Sequence, residues 1–99
     1  MFTVKYTGDV RETYRNLPPE IKAIAKEALN GIKDNPFAGK PLTGELLEYY
    51  SIRCKRYRVV YKIDGTNKTA IVYAIGHRSN IYEYMAALVK GEQGGMDVP

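Results

Sequence analysis

The chain has one cysteine, no tryptophan, two phenylalanines and a single histidine. With only Cys54, no internal disulfide can form. With only His77, and nothing local that marks a Cys–His pair, Cys54 reads as a buried structural thiol in a strand rather than as a nucleophile. Long apolar runs are also lacking. The opening MFTVKYTGDV has no signal-peptide core, and no stretch approaches the length of a membrane span. A reducing cytoplasm is the expected compartment. There is no internal repeat. Acids are missing where they would matter most: Tyr49 to Ile63, YYSIRCKRYRVVYKI, carries Arg53, Lys55, Arg56, Arg58 and Lys62 and no carboxylate.

That stretch is the most informative part of the chain. The first 48 residues hold seven Lys/Arg and seven Asp/Glu, so the formal +4 lies wholly in the second half. A sheet surface with this much like charge repels itself, and an anionic partner is the simplest reason to keep it. The 99 residues suit one domain with one modest core. Nine tyrosines stand out; tyrosine stacks on bases and donates to phosphates, and it is also an ordinary strand residue.

Periodicity divides the chain. Phe2 to Thr7 alternates as a strand, and Gly8 breaks it. Asp9 with Glu12 resembles a capping box before a short helix carrying Val10, Tyr14 and Leu17. Pro18-Pro19 ends that helix and opens the next. Glu20 to Asp34 is the clearest helix, with Ile21, Ile24, Ala25, Ala28, Leu29 and Ile32 on one face, and Asn35-Pro36 stops it. The segment 37–48 reads as a loop anchored by Leu46-Leu47. Strands follow at Tyr49 to Cys54 and Tyr57 to Asp64 around a Lys55-Arg56 turn. Asp64-Gly65 signals a second hairpin. Thr69 to Ile75 is apolar enough to be a central strand covered on both faces, with Gly76 ending it. Asn80 and Glu83 cap a last helix carrying Ile81, Tyr84, Met85, Leu88 and Val89. The expected architecture is α+β, β-αα-βββ-α: an antiparallel sheet with the N-terminal αα-hairpin packed on one face and helices on that face alone. Residues 1–90 form the domain, and 91–99 form a disordered tail.

Period two puts Arg53 and Arg58 on the same, open side of one hairpin. Arg78 follows the central strand, and Tyr82 lies in the first turn of the last helix. Four polar groups can therefore converge on one surface. The alternative is a solvated basic sheet face with a few surface ion pairs, and charge pattern alone does not separate the two.

The run YYSIRCKRYRVVYKID, followed by AIVYAIGHRSNIY, resembles the RelE/ParE toxin superfamily, specifically its RelE-like branch. The likeness covers the first strand, the αα-hairpin, the Leu42-Thr43-Gly44 loop, the three strands and the last helix. It implies the toxin of a type II toxin–antitoxin pair: a metal-independent endoribonuclease, with no cofactor, that cuts mRNA in the ribosomal A site by attack of the ribose 2′-hydroxyl on the adjacent phosphate. The implied partners are a cognate antitoxin in a hetero-oligomer, and mRNA with the ribosome and its 16S rRNA. Carried over by position, Arg58 and Arg78 bind the scissile phosphate, Tyr82 stacks on or activates the nucleotide, and Arg53 gives proton or charge assistance. Lys55, Arg56 and Lys62 are the further RNA-binding candidates. The chain departs from the family at Ser51 and Arg53, where vigorous members often carry lysines. Arginine is a poor base, so His77, or Glu45 and Glu48 in the preceding loop, are the candidates for proton transfer. Two other readings share the fold: a ParE-like toxin that binds DNA gyrase, and a family member that retains binding without catalysis.

Overall fold

The computed structural model describes residues 1–97. Strand β1, Thr3–Tyr6, leads into helix α1, Gly8–Arg15, and helix α2, Pro19–Asp34. A loop then contains the two-residue strand β2, Lys40–Pro41. Strands β3, Tyr49–Cys54, β4, Tyr57–Asp64, and β5, Thr69–His77, run in succession, and helix α3, Ile81–Asp97, closes the chain. The sheet order is β1-β5-β4-β3-β2. β5 and β4, β4 and β3, and β3 and β2 pair antiparallel. β1 pairs parallel to β5. The fold class is the expected α+β, but the sheet is mixed rather than wholly antiparallel. The helical hairpin carries the chain back to the side from which β1 left, so β5 joins β1 in the same direction.

The local signals act as their chemistry requires. Pro19 takes the first helical position of α2, where its missing N–H costs nothing. α1 starts one residue before the expected cap: Thr7 is the N-cap, without a side-chain bond, and Asp9 sits in the first turn facing the helix dipole. The Lys55-Arg56 turn forms without glycine because Lys55 itself adopts the left-handed region, φ 58°. At the second hairpin the Asp64 carboxylate accepts bonds from the Asn67 backbone N–H (3.2 Å) and side-chain amide (2.8 Å).

The sheet is covered on both faces. On the first, α1 and α2 press Val10, Ile21, Ala25, Leu29 and Ile32 onto Val59, Tyr61, Ala70, Val72 and Ile75. Each large aliphatic buried there contributes about 1.5–3 kcal/mol. Tyr61 is fully buried, and its hydroxyl donates to the Pro36 carbonyl (2.6 Å) and accepts from the Gly39 N–H (3.1 Å). A Cβ at Gly39 would lie 2.5 Å from that hydroxyl, so only glycine lets the loop approach so closely. On the second face, Ile81 and Met85 of α3 cover Val60, Ala74, Tyr49 and Leu46. Helices on one face alone was therefore the wrong expectation: Val60 and Ala74 make a second apolar strip, and the residues four apart on α3 fill it. Leu46 anchors the loop, whereas Leu47 is 70% exposed.

An irregularity in β5 decides which side chains share a face. Val60 pairs with Ala74 and Tyr61 with Val72, leaving Tyr73 as an extra residue. This bulge reverses the pleat beyond it. Gly76 lies on the second face, where an added Cβ would meet Ile81 Cδ1 at 2.8 Å. The strand also runs through Gly76 to His77 rather than ending at the glycine. The tail expected over 91–99 bears on residues that partly lie outside those described; the backbone of α3 itself continues past Gly91 to Asp97.

Candidate functional site

The second face has an apolar half under α3 and a charged half toward the Lys55-Arg56 turn. Arg53 on β3 and Arg58 on β4 are directly paired, and Arg58 in turn pairs with Gly76 on β5. Directly opposed residues share a face, so period two correctly placed the two arginines on one side.

Three elements meet at Arg58. Its Nη1 donates to Ser51 Oγ at 3.0 Å, and Tyr82 Oη donates to the same oxygen at 3.3 Å. The Arg58 guanidinium carbon also lies 5.9 Å from the Tyr82 ring centroid, within cation–π range. Ser51 is 2% exposed; Arg58 and Tyr82 are part-buried. A cation and a phenol therefore sit side by side toward the turn end of the central strand, tied by one hydroxyl. Along the chain Ser51 is marked only as a position without lysine. The available signal was its place on the Arg53 face of β3, but the partners of its hydroxyl come from another strand and a helix.

Arg53 is exposed and its Nε donates to the Lys55 carbonyl at 3.1 Å. That bond engages one of five N–H donors and supports the left-handed turn residue. Arg78 follows β5 as an exposed residue, and its backbone N–H donates to the Arg56 carbonyl at 2.7 Å. The backbones of Arg53, Arg56, Arg58 and Arg78 are thus gathered at one end of the sheet from three adjacent strand ends.

His77 is not brought to this cluster. It pairs with Tyr57 on the first face and meets that ring edge-on, with centroids 5.7 Å apart. Its Nδ1 accepts from the Ser79 N–H (3.2 Å) and lies 2.8 Å from the Ser79 hydroxyl. In the neutral ring the proton is then on Nε2. Glu48 is paired with Lys62, 3.1 Å apart, and this hydrogen bond holds the Lys62 ammonium above its ordinary pKa. Lys62 also lies over the Tyr49 ring at 5.8 Å. Glu45 is an exposed residue of the loop. Lys55 pairs with Glu20 of α2, and that contact lowers the carboxyl's pKa. Lys55 and Lys62 thus each pair with a carboxylate, and the exposed Arg56, next to Lys55, also acts electrostatically on Glu20. Cys54 is buried, and desolvation pushes its thiol above the ordinary value, which keeps it in the unreactive form.

The arginine cluster is an open surface. Two hollows lie elsewhere: about 460 Å³ between α1, the end of β5 and the start of α3, and about 480 Å³ beside Tyr6, Tyr14 and Leu29. Among the described residues no group of three or more His, Cys, Asp or Glu is arranged to hold a metal ion, and no helix is long and apolar enough to cross a membrane.

Comparison with known proteins gives the family. The model for the ParE toxin of type II toxin–antitoxin systems, parDE, matches residues 1–82. Toxin RelG of Mycobacterium tuberculosis is 36% identical over 83 residues, covering 82% of this chain and 95% of that protein. A chain in the crystal structure of the toxin–antitoxin complex RelBE2, also from M. tuberculosis, superposes with a TM-score of 0.70 at 33% identity, over 77% of this chain and 96% of that one. The isolated E. coli RelE toxin shares the fold, with a TM-score of 0.69 at 21% identity over 90% of this chain and 99% of that one. The strand register, the helical hairpin and these likenesses agree, and the chain belongs to the RelE/ParE superfamily of toxins from type II toxin–antitoxin systems.

Proposed function

We propose that this toxin is a ribosome-dependent endonuclease that cleaves mRNA in the A site and is held inactive by a cognate antitoxin in the cytoplasm. The observation that carries the reading is the direct pairing of Arg53 with Arg58, with Arg58 fixed beside Tyr82. Like charges directly opposite one another destabilise a sheet. A phosphodiester seated there would remove that repulsion.

The chemistry follows from these groups. The ribose 2′-oxygen attacks phosphorus, the new P–O2′ bond closes a 2′,3′-cyclic phosphate, and the P–O5′ bond breaks. The proton leaving the 2′-hydroxyl passes to solvent water, and the departing 5′-oxygen takes one up from it, since Arg53 and Arg78 here are exposed to water. Arg58 and Arg78 hold the phosphoryl oxygens, whose charge rises in the transition state. Tyr82 packs against the nucleotide and presents its hydroxyl beside Arg58. Arg53 stays protonated, so it contributes charge rather than a base. An open site suits a polymer positioned by a large scaffold, and in-line geometry supplied by the ribosome accounts for much of the rate. The antitoxin on this reading is a small acidic or amphipathic chain that covers the basic surface.

The deciding experiment adds the purified toxin to translating ribosomes and maps mRNA 5′ ends. Codon-phased cuts in the A site are expected. The ParE description of the matching family favours a second reading, in which the target is DNA gyrase. Intact mRNA together with blocked supercoiling would establish that reading and discard the nuclease.

A further inference from the structure

We infer that Ser51 is the positioning residue of this site: its buried hydroxyl locks the Arg58 guanidinium and the Tyr82 phenol at the spacing a phosphodiester requires. The catalytic consequence rests on the nuclease reading above. The lock itself is a property of the free chain.

Three observations support it. First, Ser51 is 2% exposed, and the residue directly opposite it, Val60, and the next one across, Ala74, are apolar. Packing alone would favour an apolar residue there, since an unbonded buried hydroxyl is costly. Second, its Oγ has two lone pairs, and the two donors that reach it are Arg58 Nη1 and Tyr82 Oη. Third, the three residues come from β3, β4 and α3, so no local sequence relation holds Arg58 near Tyr82. Serine has one short χ1 rotor, and its strand is held in register by Val60 opposite. Arginine is long and rich in rotamers, and unless it is tied it does not stay in one place. Ser51 thus transfers the rigidity of the sheet to a flexible cation and to a helix-borne phenol. It need not touch the RNA.

The test uses Ser51→Ala and Ser51→Thr in the full chain, with two readouts. Side-chain NMR of the free toxin follows the Arg58 Nη protons. Slow guanidinium rotation is expected in the parent and in Ser51→Thr, and averaged signals in Ser51→Ala. On programmed ribosomes, Ser51→Ala should lower kcat by about 10- to 100-fold, the usual cost of misplacing a catalytic group by an ångström. KM should stay within about twofold, because the guanidinium charge that meets the phosphate is unchanged. Ser51→Thr should restore most of kcat. A double variant with Tyr82→Phe should lose less than the product of the single losses, since both act through one contact. Unchanged Arg58 signals in Ser51→Ala, or strictly multiplicative losses, would overturn the inference. Locked Arg58 signals in a parent toxin that cuts no mRNA would leave the lock standing and refute the nuclease reading instead.

Discussion

The two faces of the sheet are made from the same three strands and solve different problems. The first face is dry: Val59, Tyr61, Val72 and Ile75 meet two helices, and the polar atom among them, the Tyr61 hydroxyl, bonds to two backbone groups. The second face is apolar for half its length, where Ile81 and Met85 cover Val60 and Ala74. The other half holds paired arginines. Stability is concentrated on one side and like charge on the other. A family can therefore vary the charged half while the core beneath it stays packed.

Four sets of substitutions test this contrast, in descending order of effect. Tyr61→Ala attacks the first face and should cost about 3–5 kcal/mol, read by urea denaturation, because it opens a large cavity and leaves the Gly39 N–H and Pro36 carbonyl without their partner. Any loss of activity should track the unfolded fraction. Arg58→Ala and Arg78→Ala attack the second face. Each should lower A-site cleavage by about 100- to 1,000-fold. Stability should stay within about 0.5 kcal/mol of the parent for the exposed Arg78 and fall by about 1–2 kcal/mol for the part-buried Arg58, which loses its bond to Ser51. For Arg78→Ala, growth inhibition should be lost while antitoxin binding in a pull-down stays largely intact. A fully toxic variant would remove Arg78 from the site. Third, His77→Ala changes the first-face partner of Tyr57. Cleavage should stay within about twofold, as expected for a substitution outside the site. A larger drop would mean that imidazole chemistry reaches the second face after all.

The smallest effects are in pH. Lys55 lowers the Glu20 carboxyl below its ordinary value of 4.5, chiefly through their hydrogen bond and then through charge. Stability from this contact is present above 4.5 and is lost as pH falls through the lowered folded value. Lys62 is raised above 10.5, chiefly by the hydrogen bond with Glu48. Its contribution is present below 10.5 and is lost as pH rises through the raised folded value. Both pairs are solvent-exposed, so the effects are slight. In denaturation curves taken across pH, Glu20→Gln should flatten only the acid limb and Lys62→Met only the alkaline limb. Swapped limbs would contradict these pairings.

Much of the architecture was legible in the sequence because its signals are local. Tyr49 to Cys54, Tyr57 to Asp64 and the helix beginning at Pro19 followed from alternation, helical spacing and proline chemistry. The pairing of Arg53 with Arg58 followed from a two-residue turn and the pleat. The direction of β1 did not, since β1 and β5 are separated by most of the chain and either direction satisfies the pattern. Nor did the covering of the second face by α3, because an amphipathic helix does not specify which apolar strip it meets. Leu47 looked like Leu46 by composition, yet the loop turns one inward and the other out.

The main strands and helices, the basic stretch and the superfamily could be read along the chain, since each depends on residues near one another or on a recognisable run of them; the short β2 could not. The site needed the tertiary structure. Tyr73 adds one residue to β5, and this extra step assigns Gly76 to the Arg58 face and His77 to the opposite one. Ser51 acquires its two partners only when a neighbouring strand and the last helix close around it. Side-chain direction in a sheet alternates with every residue, so a single bulge outweighs any pattern read along the chain.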